Sequence, residues 1–194
     1  MLRIIAGEKK SRKLKTLEGT ETRPTADKVK EALFSILVRR VYGARVLDLY
    51  GGSGALALEA LSRGAAEAVI NDQSMKACRV IRENVETLGY QDRVRLMQMK
   101  DLAAVEALEK TEAPFDLIFL DPPYKMDCSA LCGRLEKKLL APDGIIVVEH
   151  ARETPPKALP PLQCGDRREY GITGLSFLER MSKDGEQVPV SGQL

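Results

Sequence analysis

From residue 45 onward, short apolar runs alternate with stretches of helical spacing. The runs at 45–49, 67–71, 93–97, 116–120 and 143–149 are rich in Val, Ile and Leu and predict strands. Between them, residues near 54–63, 74–88, 101–110 and 128–139 predict helices. This βα alternation implies a parallel sheet covered by helices on both faces and joined by right-handed crossovers. Ligands of such sheets sit beyond the carboxyl ends of the strands, near the point where strand order reverses.

The flanks read differently. Residues 1–20 alternate apolar and basic stretches, Leu2-Arg3-Ile4-Ile5 and then Arg12 to Leu17, punctuated by Gly7 and Gly19. They predict a small β-hairpin or extended arm. Thr25-Ala26-Asp27 opens an amphipathic helix, with Val29, Leu33, Ile36 and Leu37 on one stripe. After His150, Thr154-Pro155-Pro156 and Pro160-Pro161 mark a loop, and residues 167–171 and 175–181 predict two last strands. The expected organisation is an N-terminal extension (1–43), a catalytic domain (44–181) and a flexible tail (182–194), with no internal repeat.

Composition narrows the class. Hydrophobic residues make up 44% of the 194 positions, enough for a packed core. No apolar run approaches the roughly 20 residues of a membrane helix, and residues 1–7 do not resemble a signal peptide. A soluble, cytoplasmic protein is expected. Cys78, Cys128, Cys132 and Cys164 lack paired Cys-x-x-Cys spacing, and His150 is the single histidine. No metal site is expected, and the cysteines read as reduced thiols in or near the core. Charge is uneven. Residues 1–45 hold twelve basic and five acidic side chains, a net of +7, so the remainder carries −5 within the total of +2. A basic arm on an acidic body points to a polyanionic partner.

Two turns carry the candidate chemistry. The run Arg45-Val46-Leu47-Asp48-Leu49 empties into Tyr50-Gly51-Gly52-Ser53-Gly54. The glycines permit a tight strand-to-helix turn and close backbone approach to a nucleoside cofactor. The spacing is not that of the G-x-G-x-x-G dinucleotide fingerprint, and the Asp48 carboxylate suits the cationic amino-acid end of S-adenosylmethionine (SAM) better than a pyrophosphate. Asp72, followed by Gln73, ends the second strand and is placed to accept hydrogen bonds from ribose hydroxyls. Asp101, beside apolar Leu102, follows the third strand and could meet the adenine amino group.

The second turn, Asp121-Pro122-Pro123-Tyr124, follows the buried run 115–120. An exocyclic amino nitrogen on a base is a poor nucleophile, because its lone pair is delocalised into the ring. The Asp121 carboxylate and the Pro122 carbonyl can accept its two N–H bonds. The two prolines hold those acceptors rigid. Tyr124 can stack on the base, and a paired base would have to be flipped out to reach the pocket. The expected reaction is methyl transfer from SAM to an exocyclic nitrogen.

The chain resembles the RsmD-type methyltransferases, which methylate guanine N2 in small-subunit ribosomal RNA. The resemblance is carried by Arg3-Ile4-Ile5-Ala6-Gly7, by Thr22-Arg23-Pro24-Thr25 with Val29 to Phe34, by residues 46–61 with Arg63-Gly64-Ala65, by Asp121 to Tyr124, and by Tyr170-Gly171 before Leu175-Ser176-Phe177. It runs from Arg3 to about Arg180. It departs at Tyr50-Gly51, where the family has Phe-Ala, and at Asp72-Gln73-Ser74, where the family has acid-Lys-Asp. The resemblance implies a seven-stranded Rossmann-like sheet whose last strand is antiparallel, preceded by a short hairpin and helix that touch RNA. The substrate it implies is 16S rRNA, within a small subunit or an assembly intermediate. A monomer is expected.

Arg12, Lys13, Lys15, Arg23 and Thr25 are the expected RNA-binding residues. The nearest rival function is an adenine-N6 methyltransferase on RNA or DNA, since the same turn can serve that amino group. Against DNA, no added target-recognition domain fits in the length. A non-enzymatic RNA-binding protein is opposed by the intact Asp121, Tyr124, Gly52, Gly54 and Asp72. A protein-glutamine methyltransferase more often carries Asn at the position of Asp121 and would leave the basic arm unexplained.

Overall fold

A computed structural model of the chain describes residues 2–17, 24–123 and 126–181, with side chains in the first helix described from Asp27 onward. The elements run α1 (Pro24–Ile36), β1 (Arg45–Asp48), α2 (Ala55–Ser62), β2 (Glu67–Asn71), α3 (Met75–Leu88), β3 (Val94–Met97), α4 (Asp101–Thr111), β4 (Phe115–Leu120), α5 (Ser129–Lys138), β5 (Leu140–Ala151), β6 (Leu162–Tyr170) and β7 (Thr173–Arg180). A 3-10 turn, Gln91–Arg93, precedes β3.

The strands form one seven-stranded sheet in the order β3-β2-β1-β4-β5-β7-β6. The first five are mutually parallel, and β7 lies antiparallel between β5 and β6. Strand order reverses between β1 and β4, so the turns that follow these two strands emerge side by side.

The period-2 alternation of each strand separates two cores. Leu117, Phe119, Ile145 and Val147 face the side covered by α1, α2 and α3. Ile118, Leu120, Ile146 and Val148 face α4 and α5. Both layers are closed, as an all-parallel centre requires.

Residues 2–14 form the expected hairpin in minimal form. Arg3 and Lys13 make an antiparallel bridge, flanked by Ile4 N–H to the Arg12 carbonyl (2.9 Å) and Leu14 N–H to the Leu2 carbonyl (2.9 Å). Leu2, Ile4 and Leu14 are buried and join Leu33, Phe34 and Leu37 in the same core as α2 and the sheet. The hairpin is therefore packed into the same core as the sheet. Glu59 on α2, fully buried, holds it down. Its carboxylate accepts Ile5 N–H (2.8 Å) and Ala6 N–H (3.0 Å) and pairs with Lys30 (3.4 Å) and Arg63 (2.8 Å).

Candidate active site

The glycine turn links β1 to α2. Gly51 is fixed by close approach, because a Cβ there would lie 2.5 Å from Ile70 Cγ2, and its N–H donates to the Asn71 carbonyl at 2.8 Å. Gly54 caps α2 at φ 79°, in the left-handed region where side chains are strained. Asn84, buried on α3, donates to the Ser53 carbonyl (2.9 Å) and the Lys15 carbonyl (3.0 Å), and accepts Lys15 N–H (2.8 Å). The arm and the glycine turn thus share one side chain. The sequence holds no hint of this, because a polar residue inside a helix does not disclose its tertiary partner.

The strand-end acids lie around the glycine turn. Asp72 accepts Gly52 N–H at 2.9 Å and Ser74 N–H at 2.8 Å. Each carboxylate oxygen offers two lone-pair sites, so both keep capacity for a ligand. Gln73 is exposed in the same turn. Asp101 begins α4, accepting the Tyr50 hydroxyl at 2.7 Å and Leu102 N–H at 2.8 Å. Burial and the Asp101 bond push the Tyr50 hydroxyl pKa up, so it remains a donor. Leu102 and Met126 present exposed apolar surface.

Asp48 lies beneath the turn, 2% exposed. Burial first, then the charges of Asp121 and Asp72, push its carboxyl up to about 7, against the pull of backbone hydrogen bonds with Ala57 and Tyr50. A cluster of carboxyls, two of which raise the third, fits a ligand bearing positive charge, as the ammonium and sulfonium of SAM do, and fits a pyrophosphate poorly.

Asp121, Pro122 and Pro123 follow β4. With Met126, Glu149, His150, Ala151, Thr154 and Thr173 they line a cavity of about 180 Å³. Asp121 is exposed at the mouth of this cavity, yet desolvation by the atoms packed around it pushes its carboxyl up. Glu149, near the end of β5, is pushed up by burial and by Asp121. Sequence reasoning missed Glu149. The rule that found Asp72 and Asp101, an acid at the end of a buried strand, applies to it equally. Tyr124 lies outside the described residues.

Of the expected RNA contacts, Arg12 and Lys13 are exposed and have no ion pair among the described residues. Lys15 differs, because it pairs with Glu83 at 2.8 Å. Arg23 lies outside the described residues, and Thr25 falls in the first turn of α1. Cys78, Cys128 and Cys132 are buried and Cys164 is exposed, all four as free thiols. Burial raises Cys128 to about 11 and Cys132 to about 12, which leaves both unreactive at neutral pH.

Comparison with known proteins agrees with this geometry. A family model described as conserved hypothetical protein 95 matches residues 2–179. The Bacillus subtilis protein named "Putative rRNA methyltransferase YlbH" is 39% identical over 182 residues, spanning 92% of this chain and 99% of the relative. The Haemophilus influenzae protein named ribosomal RNA small subunit methyltransferase D is 32% identical over 157 residues, spanning 79% and 81%. The chain belongs to the RsmD-type methyltransferase family. The solved Escherichia coli structure named "Putative methyltransferase yhhF" superposes with a TM-score of 0.80 at 28% identity, covering 94% of this chain and 99% of that one. This RsmD-type chain thus shares its Rossmann-like fold with that structure over nearly its whole length.

Proposed function

We propose that this RsmD-type protein transfers a methyl group from SAM to the exocyclic N2 of a guanine in 16S rRNA. The observation that carries the reading is the pairing of β1 with β4, Asp48 opposite Phe119, which brings the glycine turn beside Asp121-Pro122-Pro123. Bound SAM supplies an electrophilic methyl group on a cationic sulfur. Asp48 would offset its positive charge, Asp72 would hold the ribose hydroxyls, and Asp101 with Leu102 would border the adenine. Asp121 and the Pro122 carbonyl would accept the two N–H bonds of the base amino group. That keeps lone-pair density on nitrogen and aims it at the methyl. Tyr124 would stack on the base.

RNA digested to nucleosides after the reaction should contain N2-methylguanosine. N6-methyladenosine in its place would overturn the choice of base. For the cofactor, Asp72→Ala should weaken SAM binding by roughly 1.5–3 kcal/mol, the worth of hydrogen bonds to a charged group. Titration calorimetry in which the variant binds like the wild type would remove Asp72 from the site.

The basic arm supports an RNA substrate, either within a small subunit or in an assembly intermediate, met by a monomer in the cytoplasm. Among the described residues no helix is long and apolar enough to cross a membrane. Arg12 and Lys13 are exposed cations of the hairpin, and their replacement by alanine should flatten the salt dependence of RNA binding. For every phosphate they neutralise, the slope should fall by roughly 0.7–0.9 log units of affinity per log unit of salt. Equal slopes for variant and wild type would make these side chains a solvated face. Lys15→Ala should also disturb SAM binding little, because Asn84 grips the Lys15 backbone and not its side chain.

A further inference from the structure

We propose that Glu149 is the residue that distinguishes guanine from adenine in this site, its carboxylate accepting the base N1–H while Asp121 accepts the adjacent N2–H. The inference rests on the methyl-transfer reading above and names the specificity element of the same cavity.

The geometry begins in the sheet. Leu120 pairs with Val148 in the parallel register of β4 and β5. The next residue along each chain segment is an acid, Asp121 just past the end of β4 and Glu149 on β5, so the two emerge as neighbours at this end of the sheet. Both line the same cavity. No hydrogen bond or ion pair reaches either carboxyl from the described residues, and no Lys or Arg stands among the described residues that line the cavity.

The adjacent histidine does not neutralise them. His150 Nε2 meets the Ser176 hydroxyl at 2.9 Å and Nδ1 meets the Ala151 carbonyl at 2.8 Å. Burial also pushes its pKa down and keeps it uncharged. Burial raises both carboxyls and the charge of Asp121 raises Glu149 further, and the N–H donors of a bound base would favour the ionised, accepting form of each. A fold that keeps such a pair unpartnered fits a ligand that brings two neighbouring donors.

Guanine brings them. Its Watson–Crick edge presents N1–H beside the N2 amino group, two donors in a row. Adenine presents its N6 amino group beside N1, which is an acceptor, so a carboxylate there would meet a lone pair. Pro122, Pro123 and Met126 offer apolar walls for the ring. Asp121 alone reads only an amino group, common to both bases. The second carboxylate adds the distinction.

The test uses 2-aminopurine, which keeps the 2-amino group of guanine but has an acceptor at N1. The guanosine methylated by the wild-type protein is mapped first. Small-subunit rRNA is then assembled by ligation with guanosine or 2-aminopurine at that position. The wild type should methylate guanosine faster in a single turnover by about tenfold or more, the size of one base-edge contact. Glu149→Gln keeps the shape and adds an amide N–H for an acceptor at N1. It should slow guanosine by a similar factor and speed 2-aminopurine, so that the preference narrows or inverts. Glu149→Ala should slow guanosine without any gain on 2-aminopurine.

The rise in 2-aminopurine fluorescence on flipping gives the same comparison as binding, independent of turnover. It should be larger with Glu149→Gln than with the wild type. A Glu149→Gln or Glu149→Ala protein that keeps the wild-type preference between the two bases overturns the assignment of Glu149 alone. A wild type that modifies no guanosine overturns the functional reading and this assignment together.

Discussion

Asp121→Ala is expected to lower the single-turnover rate of methyl transfer by about 10²- to 10³-fold, the typical loss when one preorganised group aimed at the reacting centre is removed. Substrate binding should change far less, because the lost acceptor matters most as charge develops on nitrogen. The fold should survive. Asp121 has a carboxyl pKa raised by desolvation, so the folded state binds its proton more tightly than the unfolded chain does. Stability then falls as pH rises from the ordinary carboxylate range through the raised value. Above that window the ionised group costs stability, so its removal should leave the melting temperature at pH 8 unchanged or higher. A folded variant that methylates at the wild-type rate would remove Asp121 from the chemistry.

Glu59→Ala should cause the largest loss of stability, about 3–5 kcal/mol, the range for breaking a buried ion pair from one side. Lys30 is 4% exposed, and its pKa is lowered chiefly by burial, with Glu59 as the leading opposing influence. Removing Glu59 strands that ammonium and leaves Ile5 N–H and Ala6 N–H without their acceptor. Lys30→Met combined with Glu59→Leu should recover the part of the loss due to the stranded ammonium, since an apolar pair no longer buries charge, but not the part due to the two unpaired N–H groups. Denaturant unfolding measures both. A loss below about 1 kcal/mol for the single variant would show that the hairpin is not held through Glu59.

The fold was legible where burial imposes a period. The apolar runs marked the five parallel strands, because the central ones are covered on both faces, while the edge strand β3 keeps Arg95 exposed. The helices α2 to α5 matched their expected ranges within two residues. The edge was harder to read. β6 begins at Leu162, earlier than the expected 167, and Gln163 to Glu169 expose most of their side chains. An edge strand with one wet face and a register shift between Cys164 and Asp166 leaves little apolar pattern to read.

The site was legible where backbone chemistry demands a residue type, as at Gly51, Gly54 and Asp121-Pro122-Pro123. It was illegible where partners meet only through the sheet. Glu149 gains its meaning from standing beside Asp121, and Asn84 from touching both Lys15 and Ser53. The charge of the N-terminal segment shows the same limit. Part of the +7 is used inside the molecule: Lys30 pairs with Glu59, Arg40 with Glu179 at 3.2 Å, and Arg45 with Glu67 and Glu112. Arg12 and Lys13 are among the charges that stay exposed and without an ion pair among the described residues.

The most direct measurement is transfer of a tritiated methyl group from SAM to three substrates offered in parallel: naked small-subunit rRNA, isolated small ribosomal subunits and duplex DNA, each lacking prior methylation. The account predicts label in the ribosomal RNA, free or assembled, none in DNA, and a near-complete loss with Asp121→Ala. Label in DNA, or equal labelling of RNA by Asp121→Ala and the wild type, would contradict it.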